Sequence, residues 1–450
     1  MTYPKIAIIG GGPAGLTLAR LLQHNSIPCT VFEVDADRYA RTQGGTLDLH
    51  EGSAQLALKE AGIYEQFLAH ARPEGEVLKI YDATGRVLMD ENEGVGVKRP
   101  SAMNNRPEID RVLLRAMLLD SLAEDSVKWG MKLVKVEPHP DDETYNLHFA
   151  SGHIETGFDI VVGADGAWSK VRPLVTDAKP FYSGISGLDV KLSDANVRNP
   201  DLGKRTGGGM CLTLGPNKGI LAQRNGDGAV RCYAFMRAAE SWEQDSGIDF
   251  SDMETAKKEF LERYFGDWDQ GAKDMVLRSD PDSLVRSMYM LPIGLTWPSR
   301  AGIALIGDAA HLMTPFAGVG VNVAMEDSLH LARNIITVKD SWQTGLPAAL
   351  QKYDADMFVR AEEYAKQTWM YLGLFFHERG GIAMVEHFER TRSREAATAA
   401  EEEAKTTALR TEAAREESEK GTLETGGPEV HASGLEIPSP VVAGIGQHVE

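Results

Sequence analysis

Four apolar residues, Ile6 to Ile9, run directly into Gly10-Gly11-Gly12-Pro13-Ala14-Gly15, and the chain then reads as helix from Pro13 to Gln23. A short continuous apolar run suits a strand buried on both faces. Gly10, Gly12 and Gly15 fit the G-x-G-x-x-G spacing. The first glycine permits a tight turn, the second lets backbone approach a pyrophosphate, and the third lets helix and strand pack closely. Pro13 is tolerated in a first helical turn. The helix start aims N–H groups and a positive dipole end at whatever the loop holds. A second strand from Thr30 ends at Glu33, eighteen residues after Gly15. An acid there accepts hydrogen bonds from ribose hydroxyls and repels a 2′-phosphate. The unit therefore predicts a Rossmann-type site for the ADP half of FAD or NAD.

A second constellation lies near residue 303. The apolar run Ile303 to Ile306 ends at Gly307-Asp308, and Pro315, Gly318 and Gly320 follow before a helix near Asn322. A carboxylate at the carboxyl end of such a strand lies where open α/β sheets bind ligands. Two glycine-rich helix starts suit one long cofactor, and Asp308 suits sugar-chain hydroxyls. A third element, Ile160-Val-Val-Gly-Ala-Asp165-Gly166, reads as a strand and turn; Arg172 follows.

The chain has 450 residues, enough for two or three domains, and a net charge of −19, which disfavours nucleic acid and anionic membrane surfaces as partners. Cys29, Cys211 and Cys232 are far apart and suggest neither a metal site nor a disulfide framework. With an N-terminus that enters a strand at once, and no apolar run long enough to span a bilayer, the expectation is a cytoplasmic protein without metal. Residues 395–450 lack aromatic residues and hold 12 acids against 4 bases. That composition predicts an acidic, disordered tail, whose first half could extend a helix.

Residues from Ser53 to Glu65 predict one helix, and Asp110 is the expected N-cap of the helix that follows it. "MCLTLG", "GILAQR" and "VRCYAFMR" predict strands of a mostly antiparallel sheet. The fold expected is α/β, with a Rossmann-like domain, an inserted, mostly antiparallel sheet and a C-terminal helix. The boundaries expected are 1–72, 102–178 and 286–340 for a discontinuous FAD-binding domain. Residues 73–101 and 179–285 would form the substrate domain, 341–394 a helical segment and 395–450 the tail.

In chain order, G-x-G-x-x-G at Gly10 to Gly15, D-G at Asp165-Gly166 and G-D-A-A-H at Gly307 to His311, followed by Pro315, Gly318 and Gly320, resemble the FAD-dependent aromatic hydroxylases typified by p-hydroxybenzoate hydroxylase. Within that family, "GGTLDLHEGS" (Gly44 to Ser53), "PEIDRVLLRAMLLDSL" (Pro107 to Leu122) and "GDAAHLMTPFAGVGVN" (Gly307 to Asn322) look most like the tetracycline-inactivating monooxygenases. The resemblance implies a monooxygenase that uses FAD, NAD(P)H and O₂ to hydroxylate an aromatic or polycyclic, phenol-like molecule through a flavin C4a-hydroperoxide. It implies cofactor contacts from Gly10, Gly12, Ala14, Gly15, Glu33, Arg41, Gly45, Arg111, Arg115, Asp165, Asp308, Pro315, Gly318, Gly320, Val321 and Asn322. His311 would be structural, and no acid/base triad is expected because the flavin carries the chemistry.

Asp48, Met210, Leu221, Gln223, Arg231, Phe235, Phe316 and Trp369 are the expected substrate-pocket residues; His50 and Met290 are further candidates. Val319 stands where the family often has Gln. Gly187, Met210 and Arg231 align with positions that hold tetracycline in the relatives, so the expectation is a pocket poor in polar contacts and a less polar substrate. The other readings are a flavin-dependent dehydrogenase or oxidase on the same fold, and a flavin-containing binding protein without turnover.

Overall fold

The computed structural model describes residues 3–40, 44–99, 101, 104–140 and 143–423. The chain divides into two units, Met1–Arg392 and Ser393–Glu450.

The first apolar run forms the strand Ile6–Ile9, buried at all four positions. It is central in a five-stranded parallel sheet, between Ile160–Gly163 and Thr30–Phe32. Ile303–Leu305 and Val127–Lys128 form the two edges. The helix Pro13–His24 follows the glycine loop and buries Leu16, Leu18 and Leu22. Its close packing depends on Gly15, where a Cβ would lie 2.1 Å from the Gly10 carbonyl oxygen. Gly10 itself has φ +112°, and a Cβ there would meet the Ala164 carbonyl at 2.3 Å.

The helix Gly320–Thr337 packs beside Pro13–His24. Ser328 Oγ donates to the Ala14 carbonyl at 2.8 Å, which ties the middle of this helix to the start of Pro13–His24. The expected Ser53–Glu65 helix is broken instead. A π-helical turn, Glu51–Gln55, leads into Leu56–Glu60, and Gly62 at φ +69° ends that helix before Tyr64–Leu68 starts. A left-handed glycine just past a helix is a common stop signal.

The inserted sheet has seven strands in the order 284–290, 181–192, 230–237, 218–224, 210–215, 78–82 and 87–90. All its pairings are antiparallel except 210–215 with 78–82. The strand Leu284–Met290 lies wholly in this sheet, so the boundary expected at 285/286 cuts through a strand. A small two-stranded ribbon pairs Thr46–Asp48 with Glu108–Asp110. Cys211 and Cys232 are buried, and burial pushes the Cys211 thiol up to about 12.

The helix Gly381–Leu423 takes in residues 395–423, the half of the acidic segment that could extend a helix. Residues 424–450 lie outside the described residues. Among the described residues no helix is long and apolar enough to cross a membrane.

Candidate active site

A single cavity of about 1250 Å³ runs from the glycine loop to the inserted sheet. Pockets for one drug-sized ligand measure roughly 300–1000 Å³, so this one has room for a long cofactor and a second molecule. Gly10, Gly12, Ala14 and Glu33 of the first glycine loop and strand line it, and so do Pro315, Gly318, Gly320 and Val321 of the second. Gly45, Arg111, Asp165 and Asp308 line it as well.

The protein's own packing does not require all these glycines. A Cβ on Gly12 or on Gly320 would meet no protein atom within 4 Å. Both helix starts thus leave open space in front of their N–H groups, as a pyrophosphate or an anionic ring edge needs. Asp308 points into the cavity, and among the described residues its carboxylate has no hydrogen-bond partner. Burial raises its pKa, while His311 and Arg111 draw it down. An unpartnered carboxylate facing a cavity fits a ligand rich in hydroxyl groups. The Glu33 carboxylate is buried at the loop, accepting from Gly11 N–H and, at 3.0 Å, from Asp35 N–H. These features fit FAD.

Several expected contacts act from behind the cavity wall. Arg115 does not line the cavity; its Nε donates to the Gly11 carbonyl at 3.1 Å and its Nη2 to Asp35 at 3.0 Å, bracing the glycine loop. Asn322 is fully buried. Its Oδ1 accepts from His50 N–H at 2.7 Å and its Nδ2 donates to the Asp48 carbonyl at 2.8 Å, so it clasps the two-stranded ribbon to the second glycine loop. Gly15 serves helix packing alone. His311 pairs with buried Asp327, which also accepts from Gly307 N–H at 3.0 Å. Burial alone would lower the His311 pKa, yet Asp327 raises it. Arg41 lies outside the described residues.

Of the expected substrate residues, Asp48, Met210, Leu221, Gln223, Arg231, Phe235 and Phe316 line the cavity. Trp369 does not. It is 42% exposed, and its ring packs near Phe181, because Gln367, Met370 and Tyr371 turn the opposite face of their helix inward. His50 instead holds Asp48 at 3.0 Å. Asp110 starts its helix without capping it; its carboxylate accepts from Arg72 and from Gly226 N–H.

Gly187 corrects the expectation of missing polar contacts. It does not line the cavity, and a Cβ there would lie 2.0 Å from the Ala234 carbonyl oxygen of the neighbouring strand. Two residues along, Asp189 does line it. Arg231 donates to both Asp189 oxygens at 2.7 and 2.6 Å, and Arg286 adds a third bond at 2.7 Å. The wall of the inserted sheet is therefore charged, with two arginines around one carboxylate. Asp189, Arg286, Arg106 and Glu108 were missed in the sequence, because no local pattern marks residues that only strand pairing brings together. Arg172 was read without a function, yet its buried guanidinium donates to the carbonyls of Ala309 at 3.1 Å and Ala167 at 2.7 Å. Six methionines also line the cavity: Met131, Met210, Met288, Met313, Met370 and Met384.

The sequence matches the FAD binding domain family over residues 3–368. It is 34% identical over 435 residues to monooxygenase asqM of Emericella nidulans, covering 83% of this chain and 96% of that protein. The fold is similar to that of Klebsiella pneumoniae HpxO in its complex with FAD and uric acid, with a TM-score of 0.68 at 20% identity over 86% of this chain and 93% of that one. It is also similar to that of the tetracycline destructase Tet(51), with a TM-score of 0.63 at 19% identity over 88% and 96% of the two chains. The chain belongs to the FAD binding domain family and is an FAD-dependent monooxygenase of the aromatic-hydroxylase type.

Proposed function

We propose that this monooxygenase takes electrons from NAD(P)H and inserts one atom of O₂ into an aromatic or polycyclic small molecule bound against the seven-stranded sheet. The observation that carries the reading is one continuous cavity lined both by two open glycine-rich helix starts and by a mixed apolar and charged wall of the inserted sheet. In this reading residues 1–72, 102–178 and about 291–340 hold the cofactor, and residues 73–101 and 179–290 bind the substrate.

When bound, FAD supplies the redox chemistry that activates O₂. Glu33 binds the adenosine ribose, Gly10 and Gly12 admit the pyrophosphate, and Asp308 holds the ribityl hydroxyls. Arg115 and Arg172 fix the loops that carry these contacts. The N–H groups at the start of Gly320–Thr337 would stabilise negative charge on the bound cofactor. Leu221, Phe235 and Phe316 keep water from the reacting face, while Arg231, Arg286 and Gln223 orient the substrate's polar groups. A water-excluding wall favours insertion over release of peroxide.

The test is to load the purified protein with FAD and screen phenols, hydroxylated heteroaromatics and tetracyclines. NADH and NADPH oxidation, O₂ uptake and product mass are measured together. A product heavier by one oxygen, with matched NAD(P)H and O₂ consumption, is expected. Stoichiometric peroxide without an oxygenated product would mark an oxidase instead.

A further inference from the structure

The two-stranded ribbon places Asp48 and Glu108 directly opposite each other. Both line the cavity. Like charges in that position destabilise a strand pair, so the sequence sets two carboxyl groups in conflict at the junction between the glycine loops and the inserted sheet.

Their surroundings differ. Asp48 has cationic or titratable company: His50 Nε2 at 3.0 Å and Arg106 Nη1 at 4.0 Å. Glu108 is only 7% exposed, and among the described residues its side-chain hydrogen-bond partners are neutral. Thr46 Oγ donates to Oε2 at 2.7 Å, and Gln223 Nε2 lies 3.4 Å from Oε1, near the limit for a hydrogen bond. Arg72, the cation whose charge bears on Glu108, is already engaged. Its Nη2 donates to Thr46 Oγ at 2.9 Å and to Asp110 at 2.8 Å. Because Thr46 accepts from Arg72, its own hydrogen is committed to Oε2, which leaves Oε1 as the oxygen free to carry a proton.

We propose that Glu108 is a neutral, proton-carrying acid in the substrate chamber that donates a hydrogen bond from Oε1 to an uncharged ring carbonyl or hydroxyl oxygen of the substrate, a role that rests on reading this cavity as a substrate site. It is a specificity-determining residue that favours a neutral oxygen acceptor over a carboxylate at this point of the chamber. Burial first, and then the Asp48 charge, push the Glu108 carboxyl up to about 8, while Thr46, Arg72 and Gln223 oppose the rise. A carboxylic acid kept neutral by an apolar site and a neighbouring anion is a donor that no ordinary glutamate supplies near neutral pH.

The test is infrared difference spectroscopy of the FAD-loaded full chain, titrated from about pH 6 to about pH 10, a range that extends well above the ordinary carboxylate pKa. The wild type should show a protonated-carboxyl C=O band that disappears with a midpoint near 8. Glu108→Gln should lack this band, and Thr46→Val, which removes the hydroxyl donation, should move its midpoint up. Saturating 2-pyridone, a neutral ring carbonyl, should shift the band to lower frequency; benzoate, an anion of similar size, should not. A wild type without the band, a band that survives in Glu108→Gln, or a band that 2-pyridone leaves in place would each overturn the proposal. The band is read without turnover, so its loss and a failure of the monooxygenase screen are separate results.

Discussion

Arg172 donates a hydrogen bond to the carbonyl of Ala309, 3.1 Å away across 137 residues of chain. The same guanidinium reaches Ala167 in the Asp165-Gly166 turn. One buried side chain thus sets the spacing between two loops that face the cavity, and one of those loops carries Asp308.

Replacing Arg172 by Met keeps much of the volume and removes both bonds. Hydrogen bonds involving a charged group are worth about 1.5–3 kcal/mol each. The expected result is a melting temperature lower by roughly 5 °C or more, with flavin affinity reduced on the order of tenfold. Thermal melts and flavin titration read the two effects. A variant that melts lower yet binds flavin as tightly as wild type would show that the spacing serves stability alone.

Gly12→Val separates cofactor binding from folding. A Cβ at Gly12 meets no protein atom, so the flavin-free variant should melt like the flavin-free wild type. The extra carbons occupy the space in front of the helix start, so added FAD should neither bind nor raise the melting temperature. Normal stabilisation by FAD would remove the pyrophosphate role from this loop.

Asp308→Asn should act mainly on the flavin-bound state. Its carboxyl has a folded pKa raised by burial. The folded state therefore holds its proton to higher pH than the unfolded state does. Stability falls as pH rises from the ordinary carboxylate range to the raised folded value, and that loss persists above it. Asp308 is exposed to the open cavity, so solvent screens most of this effect, and the Asn variant without flavin should melt close to wild type at neutral pH. Its flavin affinity should drop by about tenfold, since one charge-assisted hydrogen bond is worth about 1.5–3 kcal/mol. Equal affinity would exclude the ribityl contact.

Gly187→Ser tests whether that position can supply a ligand contact. A Cβ there would lie 2.0 Å from the Ala234 carbonyl and 2.8 Å from Phe235 Cα, both backbone atoms of the paired strand. Overpacking of this kind costs about 1–3 kcal/mol. The variant should melt lower and bind tetracycline no better. Tighter tetracycline binding at unchanged stability would contradict the placement of this residue.

The motifs legible in the sequence are those set by local backbone geometry. Gly10, Gly15 and Gly307 are bound to turns and helix starts by conformation and close packing, so their spacing reveals the parallel sheet and both loops. Glu33 and Asp308 follow from their places at strand ends. What stayed hidden depends on partners distant in sequence. Trp369 and Met370 are adjacent, and only the rotation of one helix decides which faces the cavity. Arg115 and Asn322 hold the wall from its outer side, a distinction that residue type and spacing do not carry. The pairing of Asp48 with Glu108 needs the register of a ribbon whose strands are sixty residues apart.

The six methionines in the cavity wall bear on how long one molecule can work. Thioethers are oxidised readily to sulfoxides, which turns a soft apolar surface into a polar one. In the proposed reaction, any peroxide that escaped an unproductive cycle would meet these sulfurs inside the chamber, while Cys211 and Cys232 are buried in the strands of the sheet, where burial raises their thiol pKa values. Under that reaction, damage would fall first where the substrate rests and only later on the framework, so a substrate that fits the chamber well would also protect the catalyst that consumes it.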